Sequence, residues 1–578
     1  MICPPLGHEY VVSHRALRLL AERSSRSGRP ALRIDYYGTG DAPGRIEAAT
    51  LPVWIHGTGL ALDVVKRRTR SRTASLIGLR VGGTIALASG LQRGDIGSLV
   101  LWDPVLDGQS YLAELRRRHE DWARAYEVNH WKSPPTGENH VLGYPISPSL
   151  RKSVEAVQAG ELQRAPAFRV LLVLSRLEPS AERLVESLKK LDVSVDLLTS
   201  PEAAVWNQSV DVVVPAAPTG VLSEILAWLA DAPGIPTPGR SPSLESPPHA
   251  SGSPAARRAE AVGTSDRFAG DEIVEHAVSF GEPPRLVGIL TGATTDATDT
   301  SASSPAPVPR HASSRSPAIL FLNAGLLHRV GPKRLWVRAA RRLARGGRTV
   351  FRFDFSGVGD SPPRRDGVPF HDSRVVETRA AMDLVAAETG HQRFVLIGLC
   401  TGADYGFRTA LVDPRVVGVL LLDGYPYRTL GWYARHYGRR LLRPRSWSRL
   451  LSGKYSFGRE LIRRLRPTVA PKLGDELSRQ IPPRREMAAH LRGLVNRGTS
   501  LHFLYTGGMP AWYNYAGQFE AAFGRFGESL KVTFLGEADH LFTPPGCQEE
   551  LLERVERWLD ERYGTGEARR SAAFTAGA

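Results

Sequence analysis

Cysteine, methionine and long apolar runs are all scarce in this chain of 578 residues. Its three cysteines exclude a disulfide framework and a cysteine-rich zinc module, and an odd number of thiols is typical of a reducing compartment. The N-terminal MICPPLGHEY lacks the basic region and apolar stretch of a secretory signal. We therefore expect a cytoplasmic protein.

No apolar run approaches the roughly 20 residues that a membrane-spanning helix needs, since the longest covers residues 416–422. Hydrophobic residues make up 42% of the chain and charged residues 23%, which indicates globular domains. We expect no transmembrane segment, and peripheral contact with a membrane stays open. The sequence does not indicate an oligomeric state.

Acidic residues are outnumbered, 59 against 75 lysines and arginines, which gives a net charge of +16. Such a balance can reflect nucleic acid, a membrane surface or anionic substrates. The cations are nearly all arginine, however, and no helix-turn-helix, zinc-finger or RNA-binding aromatic motif is evident. We therefore expect no nucleic-acid partner.

Two segments are too poor in apolar residues to offset the entropy of ordering. We predict a disordered linker at residues 232–269 and a disordered loop inside the second domain at residues 292–316. The alternating pattern at 272–290, around Gly281, predicts a hairpin that opens this domain. The predicted organisation is two domains, 1–231 and 270–563, followed by a flexible tail at 564–578.

The two domains share motifs at nearly constant spacing. The pairs are RIDYYGTGDAPG (33–44) with RFDFSGVGDSPP (352–363), LIGLRVGG (76–83) with LIGLCTGA (396–403), and SLVLWDP (98–104) with GVLLLDG (418–424). Twenty-three residues separate Arg80 from Asp103, and the same number separates Cys400 from Asp423. We infer a tandem duplication of one α/β unit.

Short apolar runs alternate with helical patterns in each copy. Continuous apolar strands alternating with helices predict a mostly parallel, doubly wound sheet with helices on both faces. We predict two such α/β domains, the second with a helical cap at about 425–499 between Asp423 and the next strand.

The motif Gly398-Leu399-Cys400-Thr401-Gly402 follows an apolar strand and opens a helix, which is the setting of a nucleophile elbow. The glycines allow a tight turn, and a helix N-terminus favours a thiolate. We predict that Cys400 is a nucleophile. The alternative is a buried structural cysteine.

The base is expected after the last strand, where His540 lies. For the acid we favour Asp423, at the end of the strand after the elbow helix. Glu520, or a cysteine–histidine pair without an acid, are alternatives, whereas Asp539 is too close to His540 along the chain.

An oxyanion hole requires two backbone donors. We predict the N–H of Thr401 as one, and that of Gly325 or Leu326, in the loop after the strand near 317–325, as the other.

The first copy carries Arg80 at the elbow position and no histidine near 199–208, where a base would lie. Arginine is not a nucleophile, so a degenerate, non-catalytic domain is predicted. In the alternative interpretation Arg80, with His8 and Glu9 nearby, binds a carboxylate or phosphate.

These residues resemble the α/β-hydrolase superfamily. The first copy, with CPPLGHEYVVSHRALRLLAE and GLRVGG, is similar to hydrolase-like proteins of exosortase and exopolysaccharide gene clusters, which are often grouped with serine aminopeptidase-type hydrolases. The second, with FLNAGLLHRVGPKRLW, GLCTGAD and EADHLFT, resembles a bacterial group with a cysteine elbow. The resemblance implies an ester or acyl hydrolase, thioesterase or acyltransferase. We expect no cofactor and no metal.

Residues 428–466 contain eleven arginines, one lysine and one glutamate, with six aromatic residues interleaved. A solvated cap face is one interpretation. The other is a docking surface for an anionic carrier, such as a phosphopantetheine arm on an acidic acyl carrier protein, acyl-CoA, or an anionic lipid or glycan.

The leading hypothesis is a cysteine acyl hydrolase or acyltransferase that acts on an ester or thioester through an acyl-enzyme. The alternative is a non-catalytic hydrolase-fold interaction protein whose basic cap binds an anionic partner. Polymer synthesis of the polyhydroxyalkanoate type, which also uses an elbow cysteine, is disfavoured by the 140 residues between Cys400 and His540 and by the early acid.

Overall fold

The structure, a computed structural model, describes residues 1–130, 139–207, 217–231, 260–267, 273–283, 285–293, 316–441 and 479–564. The described residues of 1–123, 136–259 and 330–337 form one compact unit, the N-terminal unit. Those of 124–135, 260–329 and 338–578 form the other, the C-terminal unit. Both are α/β units built around parallel strands, as predicted.

The N-terminal unit contains a five-stranded parallel sheet in the order β1-β2-β3-β6-β7 and a separate two-stranded ribbon, β4-β5. Its strands are β1 (Ile2–Cys3), β2 (Ala74–Leu79), β3 (Ile96–Trp102), β4 (His140–Val141), β5 (Tyr144–Pro145), β6 (Arg169–Leu174) and β7 (Ser194–Thr199). The helices that precede or connect them are α1 (His8–Arg26), α2 (Leu51–Thr69), α3 (Val81–Gln92), α4 (Gly108–His130), α5 (Pro148–Glu155), α6 (Pro179–Lys190) and α7 (Thr219–Ala230).

Alternate side chains of the central strands of this sheet enter two separate apolar cores. One core includes Leu76, Leu99 and Leu172, and the other includes Ile77, Val100 and Val173. Because both faces are covered, these strands are continuous apolar runs without polar alternation.

The C-terminal unit has a nine-stranded sheet in the order β16-β15-β14-β13-β11-β12-β10-β9-β8. Its strands are β8 (Glu260–Arg267), β9 (Ile273–Phe280), β10 (Leu286–Ala293), β11 (Ala318–Leu322), β12 (Val350–Phe353), β13 (Phe394–Leu399), β14 (Val416–Leu422), β15 (Ser500–Thr506) and β16 (Leu530–Leu535). The helices are α8 (Leu335–Arg345), α9 (Phe370–Thr389), α10 (Thr401–Val412), α11 (Leu430–Leu441), α12 (Arg484–Asn496), α13 (Gln518–Phe523) and α14 (Cys547–Tyr563).

Strands β11 to β16 are parallel, whereas β8, β9 and β10 form an antiparallel meander that joins β12 at one side. The predicted hairpin at 272–290 is confirmed as β9 and β10, with Gly281 in the turn at φ +79°. Among the helices of the described ranges, none combines the length and the apolar composition needed to cross a bilayer.

The linker predicted at 232–269 was wrong for residues 260–267, which form β8 at the edge of the sheet. An edge strand can be held by backbone hydrogen bonds to one neighbour, and these bonds need no apolar side chains. The polar composition of 260–267 therefore carries no apolar pattern that predicts a strand. The other parts of this segment lie outside the described residues, as do 294–315 of the predicted loop, 442–478 of the predicted cap and 565–578 of the predicted tail.

The turn between β13 and α10 depends on two glycines in close contact. A Cβ on Gly398 would lie 2.2 Å from the carbonyl carbon of Gly402, and a Cβ on Gly402 would lie 2.4 Å from the carbonyl oxygen of Asn323. Cys400, between them, has φ 58° and ψ −121°. The chain can therefore reverse from strand to helix tightly enough to place this side chain at the end of the sheet.

The N-terminal unit repeats this turn between β2 and α3. Arg80 has φ 55° and ψ −122°, and a Cβ on Gly78 would lie 2.2 Å from the carbonyl oxygen of Gly82. The two turns therefore share their backbone conformation although one carries arginine and the other cysteine.

Replacing Gly398 with alanine is expected to lower the free energy of unfolding by about 1–3 kcal/mol, because the added Cβ must displace the backbone of Gly402. Thermal or denaturant unfolding measures this. Gly493→Ala is the matched control, since Gly493 lies in α12 and a Cβ there meets nothing within 4 Å. The control should be neutral or stabilising by up to about 1 kcal/mol. Equal stability of the two variants would contradict the packing of the turn.

Candidate active site

Three sequence-predicted side chains lie at the carboxyl ends of parallel strands of the same sheet. Cys400 follows β13, Asp423 follows β14, and His540 lies in the loop after β16. The carboxyl edge of a parallel sheet is where ligands bind in α/β proteins. The structure therefore brings together residues that are up to 140 positions apart in the chain.

Asp423 and His540 are in direct contact. His540 Nδ1 lies 2.7 Å from Asp423 Oδ2, and Asp423 is 3% exposed. Thr506, at the end of β15, donates to the same carboxylate from its backbone N–H and its hydroxyl, both at 2.7 Å. These donors satisfy a buried carboxylate that would otherwise be costly, and they hold it towards the imidazole.

His540 also interacts with the Cys400 thiol. Burial favours the neutral ring, but Asp423 and Cys400 outweigh this effect and raise the pKa of His540 to about 10. The ring is therefore protonated at neutral pH, with Nδ1 facing Asp423.

The Cys400 thiol is half-buried at the N-terminus of α10. Burial opposes its ionisation, but the hydrogen bond and charge of His540, together with the charge of Arg479, outweigh it and lower the thiol pKa. A helix N-terminus also favours negative charge. The arrangement can therefore present a thiolate paired with an imidazolium.

The two other carboxylates considered as acids are placed differently. Glu520 lies on the exposed side of α13. Asp539 Oδ1 accepts the N–H of Thr543 at 2.6 Å, in the turn that contains His540. Among the described residues, Asp423 is thus the carboxylate in contact with the imidazole.

The predicted oxyanion donors lie beside the elbow. Gly325 donates its N–H to the Thr401 hydroxyl at 2.9 Å, so this N–H is occupied by a side chain of the protein. Leu326 is next in the same loop, and within the described residues no hydrogen bond takes its N–H. Thr401 begins α10, where backbone N–H groups have no partner inside the helix. Leu326 is therefore better placed than Gly325 as the second donor.

The loop that carries Leu326 is anchored by hydrogen bonds to Asn323 and Asp354. Asn323 donates to the Leu327 carbonyl at 2.9 Å and to Asp354 at 3.2 Å. Asp354 also accepts the backbone N–H of Arg329 at 2.6 Å. These bonds hold the loop against the end of β12.

Sequence reasoning missed an ion pair next to the nucleophile. Asp404, in the first turn of α10, is bound by Arg479 through two hydrogen bonds of 2.7 and 2.6 Å. A third hydrogen bond, of 3.0 Å, joins Arg479 to the backbone carbonyl of Asp423. The signal for Asp404 was its place in GLCTGAD, but no motif marks Arg479.

The elbow of the N-terminal unit is filled by the unit's own charges. Arg80 donates to Glu9 at 2.9 Å and to Glu114 at 2.5 Å, and Tyr111 donates to Glu9 at 2.9 Å. Burial opposes the charge on Arg80, but the two carboxylates raise its pKa. Because they already occupy the guanidinium, this geometry disfavours the predicted binding of an external carboxylate or phosphate by Arg80.

His8, the second residue of that predicted anion site, is half-buried. Burial and then nearby cations lower its pKa to about 4, so it is neutral at pH 7. Asp103, which corresponds to Asp423, accepts the N–H of Ser175 at 2.7 Å. It therefore keeps the backbone bond that Thr506 makes to Asp423, without a histidine.

Within the described residues, no cluster of three or more histidine, cysteine or acidic side chains is arranged to hold a metal ion.

Residues 317–432 match the family model of the alpha/beta hydrolase fold. The matched segment includes the elbow and Asp423 and ends before His540. The match supports an α/β hydrolase fold for the C-terminal unit. No curated protein is significantly similar to the chain.

Several solved structures are similar to about half of the chain at low identity. A putative α/β hydrolase of unknown function from Agrobacterium tumefaciens is 16% identical, with a TM-score of 0.30, over 50% of this chain and 95% of its own. An esterase from Pyrococcus furiosus is 12% identical, with a TM-score of 0.32, over 50% and 92%. A cold-adapted esterase from an Arctic intertidal metagenomic library is 15% identical, with a TM-score of 0.27, over 51% and 97%. We draw no functional argument from similarities this weak.

Iodoacetamide is expected to modify Cys400 at neutral pH long before Cys3. His540 lowers the thiol pKa of Cys400, whereas burial raises that of Cys3 to about 11. His540→Ala should slow modification of Cys400 at neutral pH by about tenfold or more, because the cation that stabilises the thiolate is lost. Peptide-resolved mass spectrometry over a pH series measures both rates.

His56→Ala, which removes an exposed imidazole from α2, is the control and should change neither rate. Modification of Cys400 no faster than that of Cys3 would contradict the electrostatics of the site.

Proposed function

We propose that the C-terminal unit is a cysteine-dependent acyl hydrolase or acyltransferase that acts on an ester or thioester. The observation that carries the proposal is the 2.7 Å hydrogen bond between His540 and Asp423 at the carboxyl edge of the sheet, where the same imidazole lowers the thiol pKa of Cys400. A nucleophile, a base in contact with it and a group that orients the base are the signature of covalent catalysis.

In the proposed mechanism, Cys400 Sγ attacks the carbonyl carbon of the substrate. A carbon–sulfur bond forms, and the carbonyl π electrons move onto oxygen. The resulting oxyanion accepts hydrogen bonds from the N–H groups of Thr401 and Leu326. When the tetrahedral intermediate collapses, His540 Nε2 gives its proton to the leaving alkoxide or thiolate, which leaves the acyl group on the sulfur.

The second half of the cycle reverses these roles. Water or another acceptor loses a proton to His540 Nε2 and attacks the acyl-enzyme. The carbon–sulfur bond breaks, and Cys400 leaves as a thiolate stabilised by the reformed imidazolium. Asp423 remains ionised throughout and keeps Nδ1 protonated. A thiolate is better suited to acyl exchange of this kind than to peptide cleavage.

We infer that the N-terminal unit is a degenerate copy of the same fold. The inference is supported by the repeated elbow angles at Arg80 and Cys400, and by the shared backbone bonds at Asp103 and Asp423. Arg80, at its elbow, cannot attack a carbonyl. Its part in the protein is therefore structural or binding, not catalytic.

The proposed partner is an acyl group held on an acidic carrier protein through a phosphopantetheine thioester. Support comes from a surface formed by Arg428, α11 and the loop after β15, which we call the cap face. Its exposed members are Arg428, Arg435 and Trp512, and they contact the half-buried Tyr515 and the buried Trp432. No residue of 425–441 or 508–516 is acidic. A basic, aromatic surface of this kind attracts an acidic partner.

Cation–π contacts join the arginines and aromatic rings of the cap face. The Arg428 guanidinium lies 4.6 Å from the Trp432 ring centre and 4.8 Å from that of Trp512, and Arg435 lies 4.2 Å from Tyr515. Cation–π contacts of this geometry restrain both partners.

The same loop leads from the cap face to the site. Gly508, at its start, donates to the carbonyl of Ala538, and a Cβ on Gly508 would lie 2.4 Å from the backbone nitrogen of His540. The loop that carries Trp512 and Tyr515 therefore begins against the backbone of His540.

Incubation with acyl-CoA and activated ester donors is expected to add one acyl group to the wild type and none to Cys400→Ala, because only the thiolate forms the covalent intermediate. Intact-protein mass spectrometry detects the adduct, and the preferred chain length identifies the acyl class. Cys547→Ala is the control and should acylate normally, since this thiol is buried.

An absence of adduct in the wild type, with Cys400 no more reactive towards alkylation than Cys547, would favour the second candidate function. In that case both units are binding folds, and the cap face holds an anionic partner without chemistry.

Charge reversal on the cap face, Arg428→Glu with Arg435→Glu, should slow acylation by a carrier-bound thioester about tenfold or more at low salt. Acylation by a small ester should fall far less, since electrostatic attraction acts on the carrier. Stopped-flow or quenched acylation rates measure the difference. Arg183→Glu on α6 is the control, because it makes the same kind of charge change on an exposed helix of the N-terminal unit. Equal slowing with both donors would contradict a docking role.

A further inference from the structure

Arg479 links two parts of the candidate site that are separate in the chain. Its Nε and Nη2 donate to the two carboxylate oxygens of Asp404, and its Nη1 donates to the carbonyl of Asp423. The side chains of Arg479 and Asp404 are 16% and 7% exposed. A bidentate pair of this kind fixes the guanidinium in position and in plane.

The carbonyl that Arg479 binds belongs to a residue in an unfavourable conformation. Asp423 has φ 50°, in the left-handed region that non-glycine residues adopt at a cost of about 1–3 kcal/mol. Its N–H donates to the Leu504 carbonyl at 2.9 Å. The N–H of Asp423 is thus held by Leu504 and its carbonyl by Arg479. These two bonds keep the residue in the left-handed conformation in which its carboxylate faces His540.

Arg479 also places a fixed positive charge near the nucleophile. Its charge favours the Cys400 thiolate, whereas that of Asp404 opposes it. The guanidinium remains charged at any pH at which the protein is folded.

We propose that Arg479, anchored by Asp404, is a positioning residue that sets the orientation of Asp423 and the ionisation of Cys400. The inference rests on the proposed function only in that the thiolate is the nucleophile of the reaction. Arg479 touches neither the substrate nor the reacting atoms in this scheme, and it acts through Asp423 and through its charge.

The test is the pH profile of Cys400 alkylation by iodoacetamide, followed by peptide mass spectrometry. Arg479→Gln should slow alkylation at neutral pH by about tenfold and move the profile to higher pH, because an opposite charge near the thiolate is lost. Arg479→Lys keeps a positive charge near the thiolate but loses the bidentate pair, so its alkylation rate should fall less than that of Arg479→Gln.

The matched control is Arg415→Gln. Arg415 makes the same bidentate pair with a buried aspartate, Asp413, at the other end of α10, with bonds of 3.0 and 2.8 Å. This variant should lose stability without a change in the alkylation profile. Thermal unfolding of all three variants separates misfolding from a change at the thiol.

A wild-type alkylation profile in Arg479→Gln, or an equal shift in Arg415→Gln, would overturn the proposal. If Arg479→Gln does not fold, the alkylation rate of Arg479→Lys is the deciding measurement. A rate about tenfold below the wild type would show that the positive charge does not promote ionisation of the Cys400 thiol. Alkylation needs no acyl donor, so these results stand apart from success or failure of the acyl-enzyme experiment.

Discussion

The left-handed turn between strand and helix is the constraint on which the rest of the site depends. A non-glycine residue at φ 58° is unfavourable, and Cys400 adopts it in a turn where Gly398 and Gly402 pack backbone against backbone. The N-terminal unit keeps the same angles at Arg80, where no thiol exists. The strain therefore belongs to the topology of the β-strand, turn and helix, and the Cys400 thiol occupies a position that the fold provides in either case.

The two elbows solve the same electrostatic problem in opposite ways. In the C-terminal unit the residue at the turn is an acid, and its charge is balanced by the imidazolium of His540, which faces solvent on one side. In the N-terminal unit the residue is a cation, and Glu9 and Glu114 close around it. The first arrangement leaves the Cys400 thiol half-buried, whereas in the second the charge of Arg80 is paired with carboxylates of the same unit.

Much of this could be predicted from the sequence because the relevant signals are local. The glycines of the elbow, the apolar strands and the order of nucleophile and base along the chain all appear within short windows. The site places Cys400, Asp423 and His540 together, while their catalytic roles stay predictions. Strand β8 was missed because an edge strand is held by backbone bonds that leave no apolar pattern. Arg479 was missed because its partner lies 75 residues earlier, and only the folded sheet brings them together. Leu326 is preferred to Gly325 as an oxyanion donor because of one side chain, since the Thr401 hydroxyl accepts the N–H of Gly325. Such a contact cannot be read from the sequence.

The depressed thiol pKa at Cys400 has a consequence for redox chemistry. Thiolates, not thiols, are the species that peroxide oxidises to sulfenic acid, and a neighbouring thiol normally rescues that product as a disulfide. The chain has two other cysteines, and both are buried, with the thiol pKa of Cys3 raised to about 11. An oxidised Cys400 would thus depend on an external thiol for repair. The low thiol pKa therefore means that Cys400 stays reduced only in a solution that supplies such thiols.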